Sequence, residues 1–160
     1  MSKLSTENGL SMIELMIVLV TVLVLVGIVG YAYDGIKARS RNDQRTTEIR
    51  RLQVFIETFY SQNMYYPSRA DLNNPTWDQA NLKGFSITYL EDPLWSSKGK
   101  ECTSSSGQPI LLAKSKLGCF GYDPTDNGVS CESDAQSCDK YTLSATLENG
   151  AGVYTKYQLD

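Results

Sequence analysis

The side chains that could do chemistry in this chain are few in type. Its 160 residues include no histidine, so both the commonest general base and the commonest metal ligand are missing. Catalytic pairs of histidine with serine or cysteine, and zinc sites that use histidine, are therefore excluded. The sequence also contains no glycine-rich phosphate loop and no nucleophile elbow. These observations predict that the protein is not an enzyme.

The cysteines form the next group of reactive side chains. They are an even number in a polar, loop-rich segment, and if that segment is exported they are expected to form disulfides. Three connectivities are open; pairing of sequence neighbours is the simplest, but the sequence does not select one. A zinc site of four thiolates is the alternative, which the lack of any Cys-x-x-Cys pair disfavours. The four residues are Cys102, Cys119, Cys131 and Cys138.

The segment from Cys119 to Cys138 is rich in glycine, serine and aspartate, which predicts a long exposed loop closed by a disulfide. Its carboxylates Asp123, Asp126 and Asp134 could supply hard oxygen ligands to calcium. The spacing of an EF-hand loop is absent, so a solvated acidic loop is the favoured interpretation. We therefore expect no cofactor.

One carboxylate lies where charge is expensive. From Leu10 to Tyr33 the chain is apolar apart from Glu14, and it is long enough to cross about 30 Å of hydrocarbon. An ionised carboxylate inside such a segment costs about a few kcal/mol unless it has a partner. In a monomer, Glu14 could lie near the headgroups or bind a proton. If the chain is cut after Gly9, the new α-ammonium group of Leu10 would be a cation at a similar depth.

The residues around this carboxylate carry a resemblance. The run Gly9-Leu10-Ser11-Met12-Ile13-Glu14-Leu15 follows a short polar leader that contains Lys3, and it opens the unbroken apolar run. This arrangement resembles the processing site of type IV prepilins and pseudopilins. The resemblance implies that a prepilin peptidase cuts after Gly9 and that the new terminus, Leu10, is methylated. It also implies that Glu14 neutralises the N-terminus of a neighbouring subunit as a filament grows.

The same resemblance implies a function, partners and a location. The chain would be a structural subunit of a type IV pilus that serves adhesion, surface motility or DNA uptake. Its partners would be other copies of itself in a helical homopolymer, the prepilin peptidase, the assembly platform protein with its ATPase motor, and the membrane. The precursor would lie in the inner (cytoplasmic) membrane and the mature subunit in an extracellular filament. Direct nucleic-acid binding has no support, because 15 basic against 18 acidic residues give a net charge of −3.

Two alternatives remain open. A pseudopilin of a type II secretion system would form a short piston instead of a surface fibre. A monomeric membrane-anchored binding protein, of a different class, would keep its leader and would not polymerise.

The elements that must position these residues begin with one long helix. No proline precedes Pro67, and Ile49, Leu52, Ile56 and Phe59 recur at spacings of three and four. This pattern predicts a continuous helix from about residue 11 to about residue 62 with an apolar stripe on its second half. The predicted organisation is a leader (1–9), a transmembrane assembly helix (10–33), an amphipathic extension (34–62) and an extracytoplasmic head (63–160).

The head is expected to be a small sheet. After Tyr65, Tyr66 and Pro67, which we expect to pack against the helix end, turn residues predict a connecting loop of some 20 residues. Glycines between residues 148 and 152 indicate a hairpin. The predicted class is α+β: a long N-terminal helix on an antiparallel sheet of three or four strands, the pilin lollipop. The candidate strands are Ser86 to Leu90, Ile110 to Ala113, Tyr141 to Leu147 and Val153 to Leu159.

Overall fold

The computed structural model describes residues 11–133 and 137–159. The chain divides into two compact units, residues 1–37 and 38–160. The described part of the first unit is helical, and the second unit contains both helices and strands. Helix α1, Met12–Asn63, contributes residues to both units. The predicted helix from about 11 to about 62 is therefore confirmed to within one residue at each end.

In the second unit, α1 presents one stripe of buried side chains. The predicted members Ile49, Leu52, Ile56 and Phe59 are all buried, as the spacing of three and four requires. The stripe also extends toward the N-terminus at the same spacing, through Ala38 and the fully buried Arg45. This stripe is the face of α1 that packs on the sheet and on the segments beside it.

The sheet has four antiparallel strands in the order β2-β1-β3-β4. Alternate residues of β3, namely Tyr141, Leu143 and Ala145, are buried and belong to the same core as the α1 stripe. The fold is therefore α+β, a long helix with a small antiparallel sheet, as predicted. The strands are β1 (Phe120–Asp126), β2 (Val129–Ser130), β3 (Lys140–Thr146) and β4 (Val153–Tyr157).

A tight hairpin joins β3 to β4. The amide of Leu147 donates to the carbonyl of Gly152 at 2.9 Å, which closes the turn. Asn149 and Gly150 have φ angles of 57° and 72°, a left-handed conformation that asparagine and glycine tolerate best. The predicted strands near Tyr141 and Val153, and the hairpin between them, are confirmed.

The segment after α1 differs from the sequence interpretation. The predicted connecting loop contains two short helices, α2 (Arg69–Leu72) and α3 (Pro75–Asn81). Ser68 and Asp71 form a capping box on α2, and the Asn74 side chain accepts hydrogen bonds from the first turn of α3. Both caps are visible in the sequence as Ser-x-x-Asp and Asn-Pro, so the sequence does carry a signal for these two helices.

Two predicted strands are wrong. Residues Ile87–Leu90 form a 3₁₀ helix that Ser86 caps, and Tyr89 stacks on Phe55 of α1 at a centroid distance of 5.8 Å. The segment 110–113 makes a single bridge to the sheet, between Leu112 and Gly121, and the chain then passes close to β3, where the amide of Ser115 donates to the Ser144 hydroxyl. Local β propensity is therefore overridden by contacts that only the tertiary structure supplies.

The predicted exposed loop from Cys119 to Cys138 is also wrong. It contains β1, which lies between β2 and β3, and β1 buries Phe120 and Tyr122 in the core. Before it, the chain forms the short helix α4 (Trp95–Lys98) and a 3₁₀ turn, Gly99–Cys102. The segment is therefore a structural part of the sheet.

Candidate assembly site

Glu14 lies in the first turn of α1. Its Oε2 atom accepts a hydrogen bond from the backbone amide of Ser11 at 3.1 Å, while the amide of Leu15 donates to the Ser11 carbonyl. Helix N-termini carry unpaired amide groups and a partial positive charge, so an acidic side chain in the first turn is stabilised there. The carboxylate is thus held beside the start of the helix, and its other oxygen has no hydrogen bond within the described residues.

The helix that follows Glu14 offers an apolar surface. The large apolar side chains from Met12 to Val29 are exposed by 49% to 86%. By length and composition this helix is capable of crossing a membrane. A surface of this kind requires either lipid or other apolar helices as its surroundings. The helix therefore combines two features: an apolar surface that needs apolar surroundings, and one carboxylate at its start that favours a neighbouring cation.

Several predicted residues lie outside the described residues. Gly9 and Leu10, the predicted cleavage and modification positions, are among them, and so is Asp134. Asp123 and Asp126 both lie on β1 and accept hydrogen bonds from Ser130 and Asn127 respectively. Within residues 11–133 and 137–159 no three acidic or thiol side chains come together as metal ligands.

The cysteines pair with their sequence neighbours. One disulfide joins Cys102 to Cys119 and the other joins Cys131 to Cys138. The first links the 3₁₀ turn before residue 103 to the residue that precedes β1. The second includes Cys138, which forms an isolated β-bridge with Tyr66. This disulfide therefore lies close to the C-terminal end of α1. The simplest of the three open connectivities is the one found.

A buried ionic cluster in the second unit was not predicted. Arg45 of α1 pairs with Asp92 through two hydrogen bonds of 2.6 and 2.9 Å, and with Glu148 at 2.7 Å. Arg41 also binds Glu148, with its Nε atom 2.7 Å from Oε1. The sequence signal was available, because Arg45 occupies a position of the apolar stripe where a charge must have partners.

The charges of this cluster stabilise one another. Hydrogen bonds from Arg41, and then from Arg45, outweigh the effect of burial and lower the pKa of Glu148 to about 2. Burial acts to lower the pKa of Arg45, but its bonds to Asp92 and Glu148 raise it above the ordinary value. The cluster ties the loop before α4 and the β3–β4 hairpin to α1.

Comparison with known proteins adds no relative: no protein-family model matches the chain, and neither a curated protein nor a solved structure matches it significantly.

Proposed function

We propose that this chain is a structural subunit of a type IV pilin-like filament, held together through its apolar N-terminal helix. The observation that carries the proposal is the apolar helical surface of residues 12–30, exposed along its length, with a single carboxylate, Glu14, in its first turn. The sequence resemblance around Gly9 and Leu10 supports the same function.

The proposed mechanism is electrostatic selection followed by apolar packing. Cleavage after Gly9 creates an α-ammonium group on Leu10. The Glu14 carboxylate of an incoming subunit neutralises that cation on a subunit already in place. An unpaired charge left inside a bundle of apolar helices would cost about 3 to 5 kcal/mol, so one register is favoured over others. The remaining apolar surface then exchanges lipid for neighbouring helices.

The experiment compares filament yield from cells that express Glu14→Gln with yield from the wild type. Glutamine keeps the size of the side chain and removes its charge, so it separates charge pairing from packing. We expect sheared surface material to lose the chain, while the membrane fraction retains mature protein. The matched control is Asp34→Asn, which removes an exposed carboxylate that follows the apolar run. It should assemble normally.

The N-terminal mass of the purified protein is the companion measurement. A chain that begins at methylated Leu10 supports processing as a pilin. An intact Met1, together with small particles in detergent, would contradict the proposal and indicate an anchored monomer. Mature protein confined to short periplasmic assemblies would indicate a secretion pseudopilin instead.

A further inference from the structure

Two neighbouring short helices each bury a carboxylate, and only one of these has hydrogen-bond donors. Asp71 of α2 accepts from the amide and hydroxyl of Ser68 at 2.9 and 2.7 Å. Asp78 of α3 is only 2% exposed, and neither of its carboxylate oxygens has a hydrogen-bond partner among the described residues. Ionising the carboxyl group in that position would cost free energy, because no hydrogen bond compensates for the desolvation of the charge.

Among the described residues, no cation pairs with the Asp78 carboxylate. From α2 the acting charge is the carboxylate of Asp71, which has the same sign. A groove separates part of α1 from α3, and Lys83, which also lines it, is exposed. The α1 residues that line this groove are uncharged: Phe55, Thr58, Phe59 and Gln62. The third neighbour, the segment at 85–87, is also uncharged, as is Gln108.

A metal ion is a poor substitute for the missing donor. A cavity of about 180 Å³ lies beside Asp78, lined by Ser86 and Gln108 among others. Each carboxylate oxygen nevertheless exposes less than 1 Å². An ion in the cavity would therefore not touch the charge that it had to neutralise. A proton on the carboxyl group is the one counterion that needs no space.

Helix α3 depends on its contacts with α1. It has only seven residues, too few to be stable alone. The ring of Trp77 lies 5.2 Å from that of Phe59 on α1, and Leu82, the C-cap of α3, is buried in the core. Asp78 lies on the same seven-residue helix as Trp77, so detachment of α3 from α1 would expose both the Trp77 ring and the Asp78 carboxyl group to water.

We propose that α3 is a proton-dependent latch on α1: it docks with Asp78 protonated and becomes easier to detach as the pH rises. This latch lies within the second unit and would operate whether or not the chain forms a filament.

The direction and range follow from linkage. Burial, and then the charge of Asp71, raise the pKa of Asp78 to about 8 in the docked state. A detached, solvated aspartate has a pKa of about 4, so the detached state releases its proton first. The equilibrium constant for detachment should therefore rise up to about tenfold per pH unit between about pH 4 and about pH 8, and stay constant above.

The test is amide hydrogen exchange of residues 75–82 in the full chain in detergent, corrected for the pH dependence of the intrinsic rate. We expect protection of this segment to fall with rising pH in the wild type, while protection of β3 does not follow it. Asp78→Asn should remove the dependence, and Asp126→Asn, which alters an exposed carboxylate, should leave it unchanged. Trp77 fluorescence in a Trp95→Phe background provides a second readout.

A pH-independent protection factor for residues 75–82 in the wild type would overturn the proposal, as would the same dependence in Asp78→Asn. If Asp78→Asn does not fold, infrared spectra of the wild type decide the question. A buried carboxylic acid band that persists at pH 7 supports the latch, and its absence at that pH refutes it.

Discussion

Arg45 and Asp92 form a two-point ion pair in the interior of the head, with distances of 2.6 Å from Nε to Oδ2 and 2.9 Å from Nη2 to Oδ1. The two residues are far apart in sequence, and both side chains are almost completely buried. The pair therefore joins α1 to the loop before α4 in a place where neither charge can be hydrated.

Breaking this pair should be strongly destabilising. Arg45→Met leaves the Asp92 carboxylate buried without its cation, which we expect to cost about 3 to 5 kcal/mol of unfolding free energy. The double variant Arg45→Met with Asp92→Asn should recover part of this loss, because no charge is left unpaired. Urea denaturation in detergent measures both. The control is Arg51→Met: the Arg51 side chain is 54% exposed, so its pair with the half-buried Glu48 should contribute less than about 1 kcal/mol. Equal losses for Arg45 and Arg51 would contradict the assignment.

Glu148 should make the head sensitive to acid. Its pKa falls from an ordinary 4.5 to about 2 on folding, chiefly through Arg41. A lowered folded pKa adds stability that is present above the unfolded value and is lost as the pH falls through the folded value. We therefore expect the unfolding free energy to decline between about pH 4.5 and about pH 2. Glu148→Gln should be less stable at neutral pH and show a shallower acid decline, measured by urea midpoints. An unchanged decline in this variant would assign the acid sensitivity to other groups.

The two disulfides should differ in their contribution. The cysteines of the first, Cys102–Cys119, are 17 residues apart, and those of Cys131–Cys138 are 7 apart. Loop-closure entropy gives about 3 kcal/mol for the longer loop and about 2 kcal/mol for the shorter one. Two variants, each with both cysteines of one disulfide replaced by serine, test this order of stabilisation when their thermal unfolding is compared. In the native protein no thiol should react with a labelling reagent, whereas all four should react after reduction and unfolding.

A buried tyrosine hydroxyl fixes the chain just after α1. The Tyr122 hydroxyl donates to the carbonyl of Pro67 at 2.7 Å, and the side chain is fully buried. Tyr122→Phe leaves that carbonyl without its donor, so we expect a loss of about 1 to 3 kcal/mol in unfolding free energy. The control is Tyr157→Phe, since that side chain is 57% exposed and the change should be nearly neutral. If Tyr122→Phe were as neutral as Tyr157→Phe, the Tyr122 hydrogen bond would contribute nothing to the unfolding free energy.

Strand β1 is the part of the sheet that the sequence does not predict. It contains Gly121 and Pro124, two residues that normally argue against a strand. The carbonyl of Pro124 accepts from the Cys131 amide at 2.8 Å, so Pro124 directs its backbone away from the β3 ladder and its missing amide removes no bond there. At Gly121 a Cβ atom would clash with Ser115 and Ser144, because the segment after Leu112 crosses this point.

The sequence by itself determined the elements whose side chains repeat with one period. The helix of α1, its stripe from Ile49 to Phe59, and the hairpin of β3 and β4 all follow from local spacing and glycine positions. Only the tertiary structure decided which cysteines pair, that Arg45 pairs with Asp92 and Glu148, and that Asp78 has no hydrogen-bond partner in the described part of the chain. These outcomes depend on contacts between residues distant in the chain, and local periodicity carries no information about which distant groups will meet.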